Sequence, residues 1–324
     1  MLVELLKMTR PKNIVIAIIT LVVGYALFGS IPDPYTYIEK NNIDHFVLFN
    51  PGWIILVLQA LGFAFAIGFA NIQNDILDLE SDKMNRPERP LVTGKVSVKA
   101  ARRAWIAMFV LTLLCGLGAT ILQNYGQQFE PRYIAITFQL WFFALLALLL
   151  IAYNKWLKHI PLLKNMTVAF LCTTPLLFVL LYFSCFPKSA SVLWRMWAII
   201  PAIPFAFLLT TAREIYKDLE DETGDLKAGI LTFPLIAGSA TARRLAGAII
   251  LFTWISLPLP VFYMDKVFGH NYPPLFLIIT GIALTPTFAY VLVQARKGRY
   301  RKSQSAVKIA MFAGLIALII CTAV

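Results

Sequence analysis

Charge is scarce in this 324-residue chain: Asp, Glu, Lys and Arg together make up only 14% of it. Soluble globular domains carry about 25%. With 59% hydrophobic residues and a mean hydropathy of +0.72, the chain has too few polar groups to cover a water-facing surface. That excludes an ordinary soluble fold. Strand-type alternation of apolar and polar residues is missing too, which excludes a membrane β-barrel. Cysteine is sparse. Cys115, Cys172, Cys185 and Cys321 lie in or at the ends of apolar runs. No spacing among them suits a zinc site or a redox pair, and they read as small apolar fillers. His45, His159 and His270 are isolated from one another, so no imidazole-based metal site is expected. A cleavable leader is not expected either: the first apolar run is followed by eight more and reads as a retained anchor.

Long apolar runs are abundant. Nine lie near residues 13–29, 53–74, 104–122, 134–153, 165–185, 193–211, 244–263, 274–294 and 306–323. Each approaches the length of about 20 residues that crosses a bilayer. Backbone polar groups in lipid must be satisfied internally, so these runs are expected to be helices. The basic residues give the direction. With the amino terminus inside, 24 of the 29 Lys and Arg fall on the cytoplasmic side, and Lys40, Arg132, Lys188, Arg195 and Lys266 on the other. This asymmetry predicts a cytoplasmic amino terminus and a carboxyl terminus outside. It also accounts for the net charge of +12 without invoking nucleic acid. The expected architecture is an all-α polytopic protein of the cell membrane, with nine transmembrane helices around a central cavity and a single domain over residues 1–324. That cavity would suit a long apolar tail. The 29–51 loop, with Pro32 and Pro34, is expected to be extracytoplasmic and irregular. The basic run 295–302 is expected to meet anionic membrane lipids.

The acids are concentrated in two stretches. Residues 71–94 read NIQNDILDLESDKMNRPERPLVTG and follow an apolar run. On a helix advancing about 100° per residue, Asn71, Asp75, Asp78 and Asp82 fall within roughly 60° of one another, with Asn74 at the margin. Three carboxylates on one face repel unless something cationic sits among them. Residues 213–229 read REIYKDLEDETGDLKAG, and Asp218, Asp221 and Asp225 repeat the three-then-four spacing of Asp75, Asp78 and Asp82. Glu214 joins that face. One such cluster reads equally well as the solvated cap of a span. Its repetition argues for a shared use. Two clusters facing each other would hold hard divalent cations through oxygen ligands and leave positions open for phosphate oxygens. Both fall on the side that the basic residues assign to the cytoplasm.

Cations adjoin both clusters. Pro87 and Pro90 stop the helix after Asp82, and the resulting loop carries Lys83, Arg86 and Arg89. Arg213 and Lys217 flank the second cluster. Carboxylates that hold a metal, with Lys and Arg beside them, suit a diphosphate. Tyr153, Lys155 and Lys158 stand at another cytoplasmic mouth, where the lysines read as ligands or as topological anchors; Asn165 opens the next span. Lys7, Arg10, Lys12, Arg102 and Arg103 read as anchors.

These motifs resemble the UbiA superfamily of intramembrane prenyltransferases. The first acidic motif of that family is similar to Asn74-Asp75, Asp78 and Asp82 followed by Arg86-Pro87, Arg89-Pro90-Leu91 and Gly94. The family's other acidic motif resembles Asp218, Asp221 and Asp225 followed by Gly229, Thr232 and Pro234. The segment 153–165 is similar to the family's Tyr-x-x-x-Leu-Lys-x-x-Pro-x-x-x-Asn. Within the superfamily, REIYKDLEDETGDLKAG and DKMNRPERPL most resemble the branch that acts on geranylgeranylglyceryl phosphate. Thr223 stands where many relatives have Glu.

The resemblance implies Mg²⁺-dependent transfer of a polyprenyl group from an allylic diphosphate to a lipid acceptor, with diphosphate released. An aromatic acceptor is the alternative within enzymes, and a membrane transporter the alternative outside them. The implied metal ligands are Asn74, Asp75, Asp78, Asp82, Asp218, Asp221 and Asp225, with Asp78, Asp82, Asp221 and Asp225 central to catalysis. Asn71, Arg86, Arg89, Tyr153, Lys155, Lys158, Arg213 and Lys217 are the implied contacts to diphosphate or acceptor. The active site is expected to face the cytoplasm.

Overall fold

A computed structural model of the chain describes residues 2–28, 52–125, 133–185, 190–263, 265–266 and 272–321. The 29–51 loop, His45 and His270 lie outside the described residues. The described residues form helices and turns, with no strand. In chain order the α-helices are α1 (Leu2–Met8), α2 (Pro11–Leu27), α3 (Gly52–Leu77), α4 (Leu79–Asn85), α5 (Val98–Tyr125), α6 (Tyr133–Lys155) and α7 (Leu163–Cys185). They continue with α8 (Ala190–Lys227), α9 (Phe233–Ala237), α10 (Ser239–Ser256), α11 (Pro258–Tyr263), α12 (Pro274–Ile278), α13 (Leu284–Arg296) and α14 (Tyr300–Ile320).

Among the described residues, eight stretches are helical and apolar enough to cross a membrane, and nine if α1 and α2, bent by 60° at their junction, count as one. The bend has a local cause. Arg10 adopts a positive φ of 55°, and Pro11 opens α2 where its missing N–H costs no hydrogen bond. Helix α8 is longer than the apolar run at 193–211 suggests. It continues for 38 residues through the second acidic cluster.

The chain divides into two compact units. One contains α1, α2 up to Tyr25, α3 to α6, and α7 from Phe178. Its interior is aromatic: Phe63, Phe143 and Phe178 meet edge-on or tilted at centroid distances of 5.2–5.7 Å. Gly62 makes this approach possible, because a Cβ there would lie 2.6 Å from the Phe143 ring. Several polar side chains inside find partners within the protein, as lipid favours. Gln59 donates to Gln139 at 2.7 Å, Gln139 to the Ala119 carbonyl at 3.2 Å, and Asn154 to the Ala70 carbonyl at 2.8 Å. The outward stripe of α6, Trp141, Leu145 and Leu148, is exposed at helical spacing and suits lipid.

The other unit contains the start of α7 and the helices from α8 onward. Its core joins Ile215 and Tyr216 of α8, Ala246 and Ile250 of α10, Phe288 and Val291 of α13, and Val307 of α14. Gly298, at φ 69°, makes the turn between α13 and α14.

Candidate active site

The first acidic cluster is shaped by a break in the helix. Helix α3 ends at Leu77, and Asp78 takes φ −92° and ψ 7° before α4 begins. The Asp78 N–H still reaches the Asn74 carbonyl at 2.9 Å and the Asp82 N–H the Asp78 carbonyl at 2.8 Å, so the face continues through a kink. Asp75 and Asp82, each 6% exposed, are bridged by Arg89. One guanidinium nitrogen lies 2.8 Å from Asp75 and also bonds Asp82. The cation needed among these carboxylates is thus supplied from the following loop. That loop is held in place: Leu91 and Val96 are buried against Met8, Ile72 and Ala101.

The other members have separate tasks. The Asn74 amide donates to Asp78 at 2.9 Å. Asn71 donates to the Thr9 carbonyl at 3.0 Å and so pins the α1–α2 elbow. Arg10, which the sequence presents as an anchor, turns to Asp75 at 3.5 Å. Arg86 is the exposed residue that closes α4. Lys155 ends α6, with half-buried Tyr153 shortly before it.

The second cluster lies on the uninterrupted α8. Asp218 is 6% exposed, lies 2.9 Å from the Lys164 ammonium, and accepts from the Asn165 amide at 2.9 Å. Both partners come from the first turn of α7, just after Leu162 at φ 65°. Asp221 is exposed and Asp225 half-buried. Arg213 lies 3.0 Å and Lys217 3.7 Å from Glu214. Lys158 is half-buried in the short 3₁₀ turn Leu157–His159. Thr232 precedes α9, which begins with Phe233-Pro234, and the proline sits in a first turn that tolerates it.

Lys164 and Arg10 are the residues that sequence reasoning passed over. Their one shared mark in the sequence is a Lys-Asn pair at the start of a long helix, Lys12-Asn13 and Lys164-Asn165; the positive φ of Arg10 and Leu162 before those pairs shows only in the structure.

The donors around both clusters are carboxylate and amide oxygens, a set that suits a hard cation. Among the described residues, no three Asp, Glu, His or Cys side chains come close enough to hold a metal by themselves. Mg²⁺ commonly uses one or two carboxylates and completes its octahedron with water and substrate phosphate.

Long apolar helices whose polar ends carry acid clusters clamped by Arg and Lys define an integral membrane protein equipped for an anionic, metal-bearing substrate. The sequence profile of the UbiA prenyltransferase family matches residues 48–316. The chain belongs to that family and is a prenyltransferase. It is 30% identical to digeranylgeranylglyceryl phosphate synthase of Hyperthermus butylicus over 98% of this chain and 96% of that one. It is 31% identical to the protein of that name from Methanopyrus kandleri, over 97% of each. Among solved structures, one described as digeranylgeranylglyceryl phosphate synthase in membranes superposes with a TM-score of 0.66 at 24% identity, covering 99% of this chain and 98% of that one. A UbiA homologue from Archaeoglobus fulgidus, bound to GPP and Mg²⁺, gives 0.55 at 17% identity, covering 99% of this chain and all of that one.

Proposed function

We propose that the chain transfers a geranylgeranyl group from its allylic diphosphate to geranylgeranylglyceryl phosphate, forming an ether lipid and releasing diphosphate. The observation that carries this reading is end-to-end likeness to relatives named for that product, in a chain that keeps both acidic motifs. Nine spans with a cytoplasmic amino terminus, and action of residues 1–324 as one domain with its site facing the cytoplasm, belong to the same proposal.

Asn74, Asp78, Asp82, Asp221 and Asp225 are the proposed ligands of Mg²⁺ or their immediate support, with Asp75 and Asp218 behind them. Bound Mg²⁺ neutralises charge on the leaving diphosphate. Arg89 and Lys164 pair with Asp75 and Asp218 and fix their positions. Asn71, Arg86, Tyr153, Lys155, Lys158, Arg213 and Lys217 are proposed to orient diphosphate or acceptor. The apolar helices exclude water from the allylic fragment.

The test is turnover of radiolabelled geranylgeranyl diphosphate by purified protein, with geranylgeranylglyceryl phosphate and aromatic acids offered separately. Mg²⁺-dependent product with the glyceryl phosphate alone is expected. Product with an aromatic acceptor alone overturns the acceptor while keeping the chemistry.

A further inference from the structure

The unit that contains α1 to α6 holds a cavity of about 250 Å³ whose wall includes Lys7, Arg10, Arg89 and Lys95. It opens beside the first acidic cluster, because Asp75 is also in its wall. Its cations come from two places, the α1–α2 elbow and the loop after α4. Both are fixed to one small core through Met8, Leu91 and Val96. The cations therefore stand on a preorganised frame and need little ordering when an anion arrives.

Much of the local charge is already committed. Lys7 pairs with Glu4 at 2.7 Å and Arg89 with Asp75 at 2.8 Å. Arg10 and Lys95 differ. The Arg10 guanidinium is paired with Asp75 more loosely, at 3.5 Å against 2.8 Å for Arg89, a distance beyond ordinary hydrogen-bond length, so its N–H fork can turn to an arriving anion. Lys95 is exposed. Glu4 and Glu88 share the wall with Asp75, so four cations face three carboxylates and one positive charge is in surplus; an anion here is held by directed hydrogen bonds as well as by charge. Arg10 also occupies a backbone region that favours glycine, at about 1–2 kcal/mol for a residue with a Cβ. A strained arginine aimed at a cavity is what a binding function retains.

We propose that this cavity binds the phosphate monoester head group of a lipid, and that this lipid is the acceptor. The monoester is nearly dianionic at neutral pH, and Arg offers it a bidentate fork while Lys adds a point charge. The identification as acceptor rests on the function proposed above; the affinity for a phosphate monoester does not.

The test uses the full chain in detergent with chelator present, so that metal-dependent donor binding is silent. The probe is a saturated dialkyl glyceryl phosphate, compared with the same lipid lacking its phosphate. Wild-type protein is expected to prefer the phosphate lipid at least about tenfold. Arg10→Gly, which relieves the backbone, and Lys95→Ala, at an exposed site, should each lose that preference while binding the alcohol as wild type does; each lost hydrogen bond to a charged group is worth about 1.5–3 kcal/mol. Wild-type preference in both variants overturns the site. An anionic phosphodiester lipid is not expected to displace the probe. Displacement at equal concentration makes this a surface for bulk lipid and overturns the acceptor assignment. Loss of preference in the variants, in a protein that fails to prenylate the glyceryl phosphate, supports the cavity and removes the acceptor reading alone.

Discussion

The ammonium of Lys164, in the first turn of α7, lies 2.9 Å from a carboxylate oxygen of Asp218 in α8. Their side chains are 19% and 8% exposed, so water screens the pair weakly. Removing one member of a buried pair strands the other, at about 3–5 kcal/mol. Lys164→Ala should therefore lower the melting midpoint of the purified protein markedly. Adding Asp218→Asn should recover part of the loss, because the stranded charge is gone. Equal melting of Lys164→Ala and wild type contradicts the pairing.

Arg89 should matter more to stability than Arg10. It bridges Asp75 and Asp82, whereas Arg10 reaches Asp75 alone, at 3.5 Å. Arg89→Ala leaves two buried carboxylates facing each other and should cost about 3–5 kcal/mol. Arg89→Lys should cost less, because a single nitrogen makes both contacts. Thermal melts of Arg89→Ala, Arg89→Lys and Arg10→Gly test this order.

Two glycines predict opposite outcomes. Gly62→Ala pushes a methyl to 2.6 Å from the Phe143 ring in a packed aromatic core, a cost of about 1–3 kcal/mol. Gly224 sits within α8 with nothing within 4 Å of an added Cβ, so Gly224→Ala should stabilise by about 0.5–1 kcal/mol. Melting midpoints should move in opposite directions.

The all-helical, membrane-spanning character was legible because lipid forces each span to be long, apolar and internally bonded. The acid clusters were legible because charge is otherwise so rare. The partners were not. The lysines of the segment 153–165, Lys155, Lys158 and Lys164, share one reading in the sequence, ligand or topological anchor alike. The reach of Lys164 to Asp218 depends on where α7 starts, and the positive φ of Leu162 sets that phase. Asn71 was legible as a member of the acidic face, but its bond to Thr9 depends on the 60° elbow, which hydropathy does not reveal. Periodicity carried one face through Asn71 to Asp82, and the kink at Asp78 shows in φ and ψ alone.

The central claim is that carboxylates from both clusters serve one Mg²⁺-dependent transfer. It is tested most directly by measuring turnover of purified Asp78→Ala and Asp221→Ala against Mg²⁺ concentration, with membrane insertion verified for each. Metal neutralisation of a leaving diphosphate is worth several kcal/mol, about three powers of ten in rate at 1.4 kcal/mol per decade. The account predicts a loss of that order in either variant, with chelator abolishing wild-type turnover. Near-normal turnover in either variant, or turnover indifferent to Mg²⁺, contradicts it.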